Sequence, residues 1–215
     1  MRIVSRLILS PLCVAGLIVF SVGCASAPRN GAFDSYPVGV AGHTTVVYYD
    51  VKGRTFDELR SDMHRLGPKV AGTSFVGETR SPMRWNWRFD STGSSSCSIR
   101  EVTVSVNSEI TLPRWNPPPD AEPGLVTEWQ RFLSALETHE AGHKDISAKA
   151  GRDIVENLRG MTGLCSELNL RAGDIARAIV DRASLEQIAY DAATRHGLTQ
   201  GTSFRPPPPS GSPGK

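Results

Sequence analysis

Neither lysine nor arginine forms a run anywhere in the 215 residues, and the formal net charge is only +2. A nucleic-acid-binding surface needs clustered cations to neutralise phosphates, so no nucleic-acid partner is expected. Cysteine is scarce, with four in the chain, which excludes a scaffold held together by disulfides alone. No internal repeat is visible. A long apolar run, Leu7 to Phe20, is interrupted by Ser10 and Pro11 and is shorter than the roughly 20 residues a bilayer-spanning helix requires. What is present, 39% hydrophobic and 21% charged residues, suffices for one globular domain with its own core.

Arg2 and Arg6 ahead of the apolar run make residues 1–23 a targeting segment that stands apart from the fold. The run leads into Ser21-Val22-Gly23-Cys24, which resembles the lipobox of bacterial lipoproteins. That resemblance implies lipidation at Cys24, attachment to the membrane through the N-terminal lipid, and a place in the cell envelope. Ala25, with no aspartate directly after Cys24, resembles sorting to the outer membrane, facing the periplasm. Plain secretion is the competing expectation, and Pro28 just after Ala25-Ser26-Ala27 disfavours it. Residues 24–42 read as a flexible tether, 43–201 as the domain, and 202–215, with Pro206 to Pro209, as a disordered tail.

Export also bears on the remaining thiols. Only Cys97 and Cys165 fall within the domain, and in an oxidising compartment such a pair is expected to be bridged. Along the domain, strands come first and helices later. Thr44 to Val51, Thr73 to Thr79, Met83 to Phe89 and Ile99 to Leu112 are strand-like, with a helix after the Thr55 cap position between the first two. Pro113 and Asn116 to Pro119 should end the sheet. Thr127 and Gln130 form a capping-box pattern ahead of a long amphipathic stretch, and a second helix is expected over about Asp174 to His196, stopped by Gly197. The expected fold class is α+β, an antiparallel sheet followed by helices.

Within the long helix lies His139-Glu140-Ala141-Gly142-His143. Residues four apart on a helix project from one side, so two imidazoles can hold one zinc ion. Glu140, one step round, is placed to take a proton from the metal's water instead of binding the metal. By composition alone, about 0.006 such matches would be expected in a chain of this size. The motif also continues the apolar stripe of Trp129, Phe132, Leu133 and Leu136, so polar groups occupy positions where a purely structural helix would bury hydrocarbon. Gly142 costs about 1 kcal/mol relative to alanine in a helix, which implies a close approach to the backbone there, by a substrate strand or a sheet edge. A catalytic zinc uses three protein ligands. The second helix offers Asp181, Glu186, Asp191 and His196, and spacing does not choose among them.

The chain resembles a bacterial family of domains described as predicted secreted zinc-dependent proteases. The resemblance rests on Tyr49-Asp50-Val51-Lys52-Gly53 followed by Thr55 and Glu58-Leu59, on Leu112-Pro113-Arg114-Trp115, on His139 to His143 with Asp145, and on Tyr190-Asp191-Ala192-Ala193-Thr194-Arg195-His196-Gly197. Cys97 and Cys165 look like the family's paired cysteines. The implied fold is zincin-like, with the motif carried onto His139, Glu140 and His143 and the C-terminal signature onto Tyr190, Asp191, Thr194, His196 and Gly197.

The expected activity is hydrolysis of peptide bonds, in a peptide or protein substrate, by a zinc-activated water with Glu140 as general base. The expected third ligand is His196, with Asp191 as the alternative or as the carboxylate that orients a ligand histidine. Tyr190 is expected either to offer its hydroxyl to the developing oxyanion or to fill the core. The competing reading is a non-catalytic envelope lipoprotein with a structural zinc or a binding role.

Overall fold

The computed structural model describes Phe33 and residues 35–206. The expected targeting segment, the expected lipidation site Cys24 and residues 207–215 lie outside the described residues. In chain order the elements are β1 (Val40–Val51), α1 (Phe56–Leu66), β2 (Lys69–Val70), β3 (Thr73–Ser74), β4 (Glu78–Arg80), β5 (Met83–Ser91), β6 (Ser96–Trp115), α2 (Pro123–Leu158), β7 (Thr162–Leu164) and α3 (Cys165–Thr194), followed by a 3-10 turn, Leu198–Gln200.

Strand β6 organises the sheet. Its alternation of apolar and polar residues buries Val102, Val104, Val106, Ile110 and Leu112 on one face, the period-2 pattern of a half-buried strand. β4, β5 and β7 pair with it antiparallel, whereas β1 runs parallel to it from Val40 opposite Val104 to Val51 opposite Trp115. The sheet is therefore mostly, not wholly, antiparallel. Side-chain alternation reports which face is buried and carries nothing about a neighbour's direction. β6 also runs through Pro113 to Trp115, because this stretch lies past the last residue paired with β4 and fewer ladder bonds depend on it. The expected strand Thr73 to Thr79 is split into β3, which closes a hairpin with β2, and β4.

Helix α2 begins a turn earlier than the Thr127 pattern indicates. Glu122 is its cap, accepting hydrogen bonds from the Gly124 and Leu125 amides, and Pro123 takes the first turn, where its missing N–H costs nothing. At α1 the cap is Thr55, whose hydroxyl accepts from the Glu58 amide at 3.2 Å. α3 starts at Cys165, well before Asp174. The Cys97–Cys165 bridge joins the start of β6 to the first residue of α3 across 68 residues of chain, with Cα atoms 4.9 Å apart. A loop of that length corresponds to roughly 4 kcal/mol of stabilisation in the chain-entropy account.

Two buried clusters flank the middle of α2. One joins Leu125, Trp129, Phe132 and Leu136 to Ile110, Leu112 and Trp115 of β6 and Leu59 and Met63 of α1. The other joins Ile154, Val155 and Leu158 to Val102, Val104 and Val106 and to Leu168, Ala172 and Ala176 of α3. Between them the buried stripe of α2 turns polar at His139, Glu140 and Lys144. The domain also reaches beyond 43–201. Phe33 and Phe204 are both buried in the first cluster, and the Lys144 ammonium donates to the carbonyls of Phe33 and Ser35 at 3.2 and 3.1 Å. No helix among the described residues is long and apolar enough to cross a membrane.

Candidate metal centre

His139 and His143 stand one turn apart on α2 with ring centroids 4.8 Å apart. Facing them from α3 is Asp191, whose Oδ1 lies 3.3 Å from His139 Nε2 and 3.2 Å from His143 Nε2. One ligand atom from each of the three falls within 4.8 Å of the others, so His139, His143 and Asp191 form a group that could hold a metal ion.

The remaining ring nitrogens are engaged elsewhere. His139 Nδ1 donates to Gln200 Oε1 at 2.9 Å and His143 Nδ1 to Gln187 Oε1 at 2.6 Å. The Gln187 amide is oriented by its donation to a backbone carbonyl. Gln187 Nε2 gives hydrogen bonds to the His143 carbonyl and Ser147 Oγ, and Gln200 Nε2 gives one to Tyr190 Oη. With Nδ1 as the donor, the neutral form of either ring would turn a bare Nε2 lone pair towards the Asp191 carboxylate. Burial, the largest influence, pushes the pKa of His139 below its ordinary value and so favours that neutral form. Two lone pairs and an anionic oxygen crowded together repel unless a cation sits among them. Bonds of about 2.0–2.2 Å in a tetrahedral arrangement put ligand atoms about 3.3–3.6 Å apart, close to the two separations from Asp191 Oδ1. The residues therefore fit a bound metal.

Glu140 is buried beside this group. Thr79 of β4 donates to its Oε2 at 2.8 Å, and a Cβ at Gly77 would come within 2.6 Å of its Oε1, so the glycine leaves room for the carboxylate. Burial, the leading cause, raises the Glu140 pKa to about 7, against the opposing hydrogen bond from Thr79. All of these groups open on one cleft of about 620 Å³. Phe75 to Thr79 line it on one side, His139, Glu140, His143 and Asp191 on another, and Arg195, His196 and Leu198 border it as well.

His196 is not in the ligand group. Arg195 and His196 both adopt left-handed backbone, with φ of 50° and 53°, and this turn swings the His196 side chain outwards, where it is 69% exposed with Nδ1 3.5 Å from Asp191 Oδ1. The expected order of the two is thus reversed, with Asp191 in the ligand group and His196 beside it. Tyr190 does not line the cleft. Its ring stacks on His139 at 5.2 Å and meets His143 edge-on at 5.0 Å, and its hydroxyl donates to the His139 carbonyl at 3.2 Å. It supports the imidazoles from behind and is not placed to meet an oxyanion. That ring also accounts for Gly142, where a Cβ would fall 2.2 Å from Tyr190 Oη. The close approach is made by α3, not by a substrate strand or sheet edge. Asp181 and Glu186 do not border the cleft.

Gln187, Gln200 and Thr79 complete the site and were not singled out from the sequence. Each is an ordinary polar residue whose partner is distant in the chain.

Among protein families, a model of bacterial proteins of unknown function, DUF922, matches residues 46–197. The chain belongs to the DUF922 family. The match takes in the second half of β1, the whole of α2 and α3, and every member of the candidate metal-binding group. DUF922 carries no activity in its description, so the match establishes kinship and leaves the reaction to the residues. No curated protein and no solved structure gives a significant match to this DUF922 protein.

Proposed function

We propose that this protein is a zinc-dependent peptidase of the bacterial cell envelope, tethered through a lipid on Cys24. The observation that carries the reading is the crowding of His139 Nε2, His143 Nε2 and Asp191 Oδ1 next to a buried glutamate in an open cleft. Two nitrogens and a carboxylate oxygen suit zinc, and three protein ligands leave a position for water or substrate. Bound there, zinc would act as a Lewis acid and lower the pKa of its water.

The chain's own groups support hydrolysis in distinct ways. Glu140, with a pKa near neutrality, can accept a proton from the attacking water and return it to the leaving amine. Thr79 fixes its carboxylate from the sheet side. Gln187 and Gln200 lock the ring orientation of the two histidines, as partners behind metal ligands do. The outer edge of β4 has no strand partner among the described residues, and its Glu78 and Thr79 line the cleft, which suits an extended polypeptide.

The test is incubation of zinc-loaded protein with casein peptides, read by mass spectrometry. Cleavage that chelation abolishes, that zinc restores and that Glu140→Gln lacks is expected. Equal cleavage by Glu140→Gln and wild type, or none by either, would contradict the reading.

A further inference from the structure

Arg195 has no role in the metal centre, yet it borders the same cleft. It is the C-terminal cap of α3, at φ 50° and ψ 51°. Left-handed backbone at a residue with a Cβ costs on the order of 1 kcal/mol or more, and glycine usually takes such a position. Here a glycine does follow, at Gly197, but two residues too late to spare Arg195 and His196 the strain. The turn is held from several sides. The Arg195 amide donates to the Ala192 carbonyl, the His196 amide to the Asp191 carbonyl at 2.8 Å, and the Gly197 amide to Thr194 Oγ1 at 3.1 Å.

The result of that strain is an arginine delivered to the cleft four residues from Asp191. Arg195 is the one arginine among the described residues that borders this cleft, and several of the others are engaged. Arg80 pairs with Glu78, Arg114 with Asp50, and Arg131 with Glu128. The Arg195 guanidinium makes no ion pair or hydrogen bond with any described residue, and none of the carboxylates bordering the cleft satisfies it. A planar fork of donors left free beside a reaction site matches a carboxylate, which it can hold bidentately.

We propose that Arg195 binds a carboxylate of the substrate and so makes the site selective for acidic peptides. This rests on the peptidase reading for its substrate, although binding can be measured without cleavage. The carboxylate can belong to an acidic side chain or to the C-terminus of the peptide.

The experiment measures affinities by calorimetry in zinc-loaded Glu140→Gln, with alanine-based pentapeptides in matched pairs. One pair differs as internal Glu against Gln, the other as C-terminal acid against amide. At least one acid member is expected to bind about tenfold tighter than its partner, and which pair shows the preference identifies the source. Adding Arg195→Gln should level that pair to within about twofold, and Arg195→Lys should keep part of the preference. Equal affinity within both pairs, or a preference that survives Arg195→Gln, would overturn the assignment. Acid preference in a protein that cleaves nothing would sink the peptidase reading and leave Arg195 standing. Cleavage without acid preference would do the reverse.

Discussion

His143 Nε2 and Asp191 Oδ1 lie 3.2 Å apart across the contact between α2 and α3, although 48 residues separate them in the chain. His139 makes the same approach to the same oxygen. Gln187 and Gln200 hold the other nitrogen of each imidazole, so the three groups converge where they could hold a metal ion.

Asp191→Asn should therefore weaken zinc binding by about a hundredfold or more, since it removes the anionic ligand. His196→Ala should cost less than about tenfold, its ring being exposed and outside the group. Competition titration with a chromophoric chelator gives both values. A larger loss for His196→Ala would restore it as the third ligand.

Gly142→Ala should damage the site through packing alone. The new methyl would collide with the Tyr190 ring, which cannot retreat without leaving its stack on His139. A loss of about 1–3 kcal/mol is expected from overpacking, together with weaker zinc binding. Thermal unfolding with and without zinc would show both effects, and an unchanged melting temperature would argue against the contact.

Buried Glu140 makes the stability of the zinc-free protein depend on pH. Its pKa is about 7 when folded against an ordinary 4.5, so its favourable contribution is complete below about pH 4.5 and is lost as pH rises through 7. The magnitude is on the order of 3 kcal/mol. His139 acts in the opposite direction. Its lowered pKa makes its contribution present above about pH 6.5 and lost as pH falls through the folded value. Comparing zinc-free wild type with Glu140→Gln by denaturant titration isolates the glutamate. The variant should gain stability relative to wild type between pH 5 and pH 8. A difference that stays constant across that range would remove Glu140 as a buried, perturbed acid.

The His139, Glu140 and His143 arrangement was legible in the sequence because one helical turn fixes it locally. The bridge between Cys97 and Cys165 was legible because the domain holds two cysteines and the N-terminus points to export. The parallel pairing of β1 with β6 was not, since alternation is the same whichever way a neighbour runs. The exchange of His196 for Asp191 turns on consecutive left-handed residues at Arg195 and His196, a conformation that neither residue type announces. Gly142 and Tyr190 explain each other only once α2 and α3 are packed together. The burial of Phe33 and Phe204 beyond residues 43–201 was not legible, because each is a single aromatic residue within Gly- and Pro-rich surroundings.

Attachment to the envelope can be checked separately from the chemistry. Cys24→Ser, or inhibition of the lipoprotein signal peptidase, should make the precursor accumulate and release the protein from the membrane fraction. Normal maturation to a soluble form in both cases would mean plain secretion.

The zinc content of protein purified under native conditions, measured by plasma mass spectrometry, tests the central claim most directly. The account predicts one zinc per chain in wild type and in Glu140→Gln, and little or none in His139→Ala, His143→Ala and Asp191→Asn. No zinc in wild type even after reconstitution, or undiminished zinc in all three ligand variants, would contradict it.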